Sequence, residues 1–197
     1  MKICEPYSQL HIFVKLLLYS GVRSGEALGL MWNDIDFERK IIYIRRSLSI
    51  YLGKEKGEHG FELQEPKTKT SVRAIAIPQT LVDVLKEHRS EQEKEKAAAG
   101  ELYTDKDLVF STPTGGFLNR PFLLTQWHKE TADTGLNCTF HMLRHSNATL
   151  LLYSGAQMKE ISEHLGHSSI RITSDTYTDV YAATERKLAD LLENALK

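Results

Sequence analysis

Along residues 8–19 the apolar side chains Leu10, Phe13, Val14, Leu17 and Leu18 recur at helical spacing. Ser8 stands where an N-cap is wanted and Gly21 where a helix stops, so the pattern predicts a helix from Ser8 to Tyr19. A second, short helix is predicted from Ser24 to Met31, again with a serine first. The period then shortens. Residues 40–50 are β-branched and aromatic and predict one strand, and residues 53–60, rich in glycine and charge, predict a loop tip. From Ser71 to Pro78 the chain alternates, with Val72, Ala74 and Ala76 on one side and Arg73, Ile75 and Ile77 on the other. Apolar residues on both sides predict the largely covered return strand of a small antiparallel sheet, ended by Pro78.

Gln79 to Ala99 reads as a helix, amphipathic at first and then almost wholly charged, so that residues 91–99 are expected to be a solvated extension or a frayed loop. Residues 108–112 predict a short strand and residues 113–116 a turn. Asn119, Arg120 and Pro121 open another helix, with Asn as cap and Pro in the first turn. Helices also fit residues 141–153, 157–165, 169–178 and 182–195. In the last of these Leu188, Leu191, Leu192 and Ala195 share a face. That stripe packs either on its own domain or into a neighbouring subunit. The expected fold class is α+β, mostly α-helical, with one small antiparallel sheet.

A length of 197 residues suits one domain, which typically takes roughly 100–200 residues. A hydrophobic fraction of 41% is enough for a real core. The longest apolar stretches, around Leu17 and Leu151, fall far short of the ~20 residues of a membrane span. The first residues lack the pattern of a signal peptide, and the cysteines Cys4 and Cys138 cannot build a disulfide framework, so a cytoplasmic location is expected. The net charge of −1 gives no sign of a polyanionic partner; the distribution leaves room for one, beside the ordinary reading of solvated charge. Residues 39–76 hold nine basic and four acidic side chains, and residues 81–107 hold five basic and eight acidic. One face could meet a polyanion while the total stays near zero.

Five segments carry candidate chemistry, in the order Gly21–Glu26, Lys67–Ser71, His141–His145, Leu165–His167 and Thr173–Val180. Each has an ordinary explanation. Arg23 could pair with Glu26, Lys69 could be a solvated hairpin lysine, and His141 and Arg144 could be surface residues. His167 could cap a helix, and Tyr177 could be half-buried. Together they form a chemical set. Two arginines can hold one phosphate through forked hydrogen bonds. A histidine one turn before Arg144 can reach the same group, a hairpin lysine can reach a leaving oxygen, and a tyrosine hydroxyl can act as nucleophile.

This set resembles the tyrosine recombinase (phage integrase) family, and the resemblance covers essentially the whole chain. The Gly-x-Arg-x-Gly-Glu segment, followed by residues 30–36, is similar to the one carrying the family's first arginine, here Arg23. Residues 67–78 resemble the hairpin of the catalytic lysine, which falls on Lys69. His141-Met-Leu-Arg-His145 is similar to the family's His-x-x-Arg box, Leu165-Gly-His167 to its next box, and residues 176–180 to the nucleophile segment, placing the nucleophile at Tyr177. Asp179 stands where a histidine is common. The resemblance implies the following reaction. Tyr177 attacks a DNA phosphodiester to give a 3′-phosphotyrosyl link, without metal, cofactor or ATP. Arg23 and Arg144 hold the phosphate with help from His167. Lys69 acts as general acid, His141 as proton acceptor, and Glu26 orients Arg23. It also implies residues 1–197 as a single catalytic domain lacking the family's N-terminal DNA-clamping domain. The partners would be double-stranded DNA and further copies of the enzyme, tetrameric in the full-length synapse, in a bacterial or mobile-element setting.

Other readings remain at this point. A non-catalytic DNA-binding relative would keep the boxes without the reaction, and type IB topoisomerases share the chemistry. A metal hydrolase could use the pairs His141/His145 and His164/His167, although Met142 stands where a zinc protease needs glutamate.

Overall fold

The computed structural model describes residues 8–52, 59–65, 72–135, 138–167 and Glu193. Helix α1 (Gln9–Ser20) is the centre of the packing. Ser8 Oγ accepts from the His11 amide at 3.2 Å, and Gly21, at φ +63°, closes the other end by donating its amide to Leu17 O. Phe13, Leu16 and Leu17 are fully buried, and the Phe13 ring meets Phe110 and Phe140 edge-on at 5.2 and 5.1 Å. Each such side chain contributes about 1.5–3 kcal/mol of burial.

Helix α2 (Ser24–Leu28) is shorter than the sequence suggests. The residues after it turn away to meet the segment around Leu108: Leu30 O accepts from the Val109 amide, and Trp32 N donates to Asp107 O. Strands β1 (Ile35–Asp36), β2 (Ile41–Ile44) and β5 (Arg73–Ala76) form an antiparallel sheet in the order β1-β2-β5. Strands β3 (Ser47–Leu52) and β4 (His59–Gln64) form a second one.

The strand expected over residues 40–50 is therefore two strands in two sheets. The break falls at Arg45 and Arg46, whose guanidiniums both turn to the buried carboxylate of Asp34. Strand β4 was not expected; it overlaps the predicted loop tip and pairs with β3 from Ser47–Gln64 to Leu52–His59. The return strand β5 is covered on one face only. Ile75 and Ile77 are buried, whereas Val72, Ala74 and Ala76 are exposed.

Helix α3 (Gln79–Ala99) runs its full predicted length without fraying. Its charged half is not wholly solvated, because Gln92 is buried: its Oε1 accepts from Trp32 Nε1 at 2.7 Å and its Nε2 donates to Leu108 O and to Ser111 Oγ. His88 Nε2 lies 2.6 Å from Val109 O. These side chains replace a strand partner. Residues 108–112 form only isolated bridges, Met31 with Leu108 and Ser111 with Phe117, instead of the predicted strand. Helices α4 (Arg120–Thr131), α5 (Phe140–Tyr153) and α6 (Met158–Leu165) lie where the sequence puts them. The helices predicted over residues 169–178 and 182–195, the tail stripe included, lie outside the described residues. No helix among those described is long and apolar enough to cross a membrane.

Candidate DNA-cleavage site

The residues just after α1, the start of α2, strands β3 and β4, the start of α4 and the first turns of α5 line one cleft of about 660 Å³, and the end of α6 is bonded to two of its arginines. Arg23, Arg120, His141 and Arg144 line its polar part; Leu28, Leu48, Phe61 and Leu124 are among its apolar wall. Close approach of backbone makes the convergence possible. A Cβ on Gly21 would stand 2.6 Å from Asn147 Oδ1 and 2.7 Å from Leu165 Cδ2, at a φ that already favours glycine. Asn147 Nδ2 ties α5 to the last carbonyls of α1, Leu18 O and Tyr19 O.

Arg144 is only 3% exposed. Its Nη1 donates to Gly21 O at 2.6 Å and its Nη2 to Leu165 O at 2.7 Å, so α5 is pinned to both neighbouring chain ends. Arg23 is its more open counterpart, with a side chain 43% exposed. Its Nη2 donates to Gly166 O, the carbonyl next to the one Arg144 uses. Two guanidiniums thus sit at the C-terminal end of α6, where the helix dipole favours cations. Gly166, at φ +68°, turns the chain there, and the His167 amide donates back to Ser162 O.

Glu26 holds Arg23 as expected, through the Arg23 amide at 2.9 Å and Nη1 at 2.8 Å. The same carboxylate also accepts from Arg73, which the sequence reading had not assigned. Burial works to raise the Glu26 carboxyl, but the guanidiniums of Arg73 and Arg23 outweigh it and hold the group below the usual carboxylate range. A signal for Arg73 was present: it shares the strand face of Ile75 and Ile77, and a cation on a buried face requires a partner. Arg120 was likewise unassigned, and His145 was given a role only in the metal-hydrolase reading. The rings of His145 and His141 meet edge-on at 4.5 Å.

The cluster is strongly cationic, and this acts on its histidines. His167 is pushed down to about 4 by burial first and then by Arg144, Arg23 and Arg73. His141 is lowered by burial, His145 and Arg144, and His145 and His164 are lowered in the same way. All are neutral near pH 7, so His141 can accept a proton, and His167 carries a single ring N–H to donate.

The structure brings Arg23, His141 and Arg144 to one cleft, with the His167 amide anchored beside it; Lys69 and Tyr177 lie outside the described residues. The basic run over residues 39–76 is less available than its charge suggests, since Arg45 and Arg46 face Asp34, and Arg73 faces Glu26. Among the described residues no three His, Cys, Asp or Glu side chains group as metal ligands.

Known proteins resemble this chain in sequence and in fold. A tyrosine recombinase XerC-like protein of Caldanaerobacter subterraneus is 38% identical over 182 residues, covering 89% of this chain and 46% of that protein. The ICEBs1 integrase of Bacillus subtilis is 29% identical, covering 97% of this chain and 51% of that protein. The chain spans about half the length of these curated relatives. In solved structures, the XerH site-specific recombinase bound to its difH substrate matches with a TM-score of 0.62 and 28% identity, over 85% of this chain and 42% of that one. The Tn1549 transposon integrase in complex with circular intermediate DNA shares the fold, with a TM-score of 0.73 at 21% identity, over 95% of this chain and 62% of that one. The sequence model of the phage integrase family matches residues 1–184, nearly the whole of the chain, and the protein therefore belongs to that family.

Proposed function

We propose that residues 1–197 form a catalytic domain that cleaves and rejoins double-stranded DNA at specific sites. What carries the reading is the meeting of Arg23, His141 and Arg144 in one cleft, drawn from opposite ends of the sequence. A phosphodiester in that cleft lies between two guanidiniums, which stabilise the charge growing on its non-bridging oxygens. The Tyr177 hydroxyl attacks phosphorus and gives its proton to His141. The bond to the 5′-oxygen breaks, and Lys69 protonates that oxygen as it leaves. His167 donates a further hydrogen bond to the phosphate. The 3′-phosphotyrosyl link conserves the bond energy, and attack by a partner strand's 5′-hydroxyl reverses the step. Neutral His141 suits a proton acceptor.

Further copies of the enzyme assemble on DNA in this reading, as a tetramer in the full-length synapse, within the bacterial cytoplasm and in the service of a mobile element. A nicked duplex, from which the cleaved 5′ fragment diffuses away, traps the intermediate. The protein should form a covalent adduct on it in the presence of EDTA. Tyr177→Phe should abolish the adduct while leaving DNA affinity almost unchanged, and Tyr181→Phe should retain it. DNA binding without an adduct would identify a non-catalytic relative, and loss of the adduct only in Tyr181→Phe would move the nucleophile.

A further inference from the structure

Arg73 takes no part in the reaction described above, yet it is one of the most completely engaged cations in the protein. Its Nη2 and Nη1 donate to the two Glu26 carboxylate oxygens at 2.9 and 3.3 Å, and its Nε donates to His164 O at 2.9 Å. The side chains of Arg73 and Glu26 are 8% and 7% exposed. The Arg73 side chain sits against the chain turn at Gly166, where even a Cβ would come within 2.9 Å of Nη1. The shape of the fork matches what it touches: one edge for a carboxylate, one N–H for a carbonyl.

We infer that Arg73 is a positioning residue that locks Glu26 to the last turn of α6 and thereby fixes how far the Arg23 guanidinium reaches into the cleft relative to His167. The inference rests on the proposed cleavage reaction. Glu26 has two oxygens and four donors: the Arg23 amide and Nη1, and the two Nη groups of the Arg73 fork. While Arg73 engages both oxygens, Arg23 shares the carboxylate and keeps Nη2 directed to Gly166 O at the mouth of the site. Without Arg73, Arg23 is the carboxylate's remaining arginine partner among the contacts described, and Glu26 draws it back from the phosphate. The same residue joins a third piece of the site through the chain itself. Strand β5 begins at Arg73, four residues after Lys69, so a fixed Arg73 also anchors one end of the segment that carries the lysine. A lysine at position 73 retains the charge but cannot fork across Glu26 and reach His164 O at once.

The test uses the whole chain and its variants Arg73→Lys, Arg73→Met, Glu26→Gln and Arg73→Met with Glu26→Gln, each shown to be folded by circular dichroism at the assay temperature. Adduct formation is measured in a single turnover on saturating nicked duplex, alongside DNA affinity. Arg73→Lys and Arg73→Met should both slow adduct formation about 10–100-fold, as a displaced catalytic group does, with affinity within about twofold. Glu26→Gln placed in Arg73→Met should return part of the lost rate, because a neutral amide no longer withdraws Arg23. The two losses are then strongly non-additive. In the same proteins without DNA, the His167 imidazole, followed by NMR, should titrate higher in Arg73→Met than in the parent, since Arg73 is among the cations holding it at about 4. A parent-like rate in Arg73→Lys, strictly additive losses or an unmoved His167 would each overturn the inference. If the parent itself forms no adduct, the proposed reaction is at fault, and a crystal structure of Arg73→Met then decides the lock: Arg23 Nη2 should have left Gly166 O, and an Arg23 still bonded there would overturn it.

Discussion

Arg144→Ala separates the architectural and chemical parts of the candidate site. The substitution removes a buried cation together with its bonds to Gly21 O and Leu165 O, at 2.6 and 2.7 Å. Two carbonyls lose their donor, at about 1–3 kcal/mol each. Water entering the cleft offsets part of this, so the net loss should be about 2–4 kcal/mol. In a protein of this length each kcal/mol moves Tm by about 2–4 °C, which puts the expected drop at roughly 4–16 °C. On the proposed reaction, the loss of one arm of the phosphate clamp should slow adduct formation by at least about 10²–10³-fold, the worth of a single oxyanion donor. The assay is a thermal melt paired with single-turnover cleavage on nicked duplex, at a temperature where both proteins are folded. Arg144→Lys should recover more stability than rate, because one ammonium can satisfy a carbonyl but cannot fork across a phosphate. Near-parent cleavage by Arg144→Ala would refute the clamp. An unchanged Tm would refute the structural accounting.

Acid should destabilise the free protein. His11, His88, His141, His145, His164 and His167 are all held below their ordinary 6.5, so the unfolded chain binds more protons as pH falls through that value. Their contribution is complete above about 6.5 and is lost towards the folded value of about 4 at His167; Glu26, depressed from 4.5, acts in the same direction at lower pH. Melts from pH 7.5 to 5 should show Tm falling, and less steeply with duplex bound, because a phosphate in the cleft stabilises the protonated imidazoles; a flat profile would contradict this. Gln92→Leu leaves Trp32 Nε1, Leu108 O and Ser111 Oγ short of partners and should cost about 2–4 kcal/mol in urea unfolding. DNA binding should weaken steeply with salt through counterion release. Arg120→Gln, at the exposed rim of the cleft, should lower the log–log salt slope by about one; an unchanged slope would mean that Arg120 meets no phosphate.

What the sequence discloses depends on how local the cause is. Helices α1 and α3 could be placed because their stops lie beside them: Ser8 and Gly21 for one, Pro78 and Gly100 for the other. The division of residues 40–50 into two strands could not, because it follows from Asp34, a buried carboxylate that collects Arg45 and Arg46 from outside the strand pattern. Residues 108–112 have strand composition, but α3 supplies Gln92 and His88 as caps in place of a neighbouring strand. In the cleft, Arg23, His141 and Arg144 were legible as short boxes. The Arg73–Glu26 pair was not, since its members are 47 positions apart and neither forms a motif with the other. The burial of Arg144 was also hidden. A box specifies residue types but does not say that two of the guanidinium's donors face main-chain carbonyls.

Gly21 is both the C-terminal cap of α1 and the seat of a cleft residue. Its amide closes the helix on Leu17 O, and its carbonyl receives Arg144. The two bonds sit on adjacent peptide groups joined at one Cα, so fraying of the α1 terminus strains the seat of the arginine. Native-state hydrogen exchange at that single amide would report the opening free energy of the whole cleft. Slow exchange there would tie the preorganisation of the cleft to the durability of the central helix.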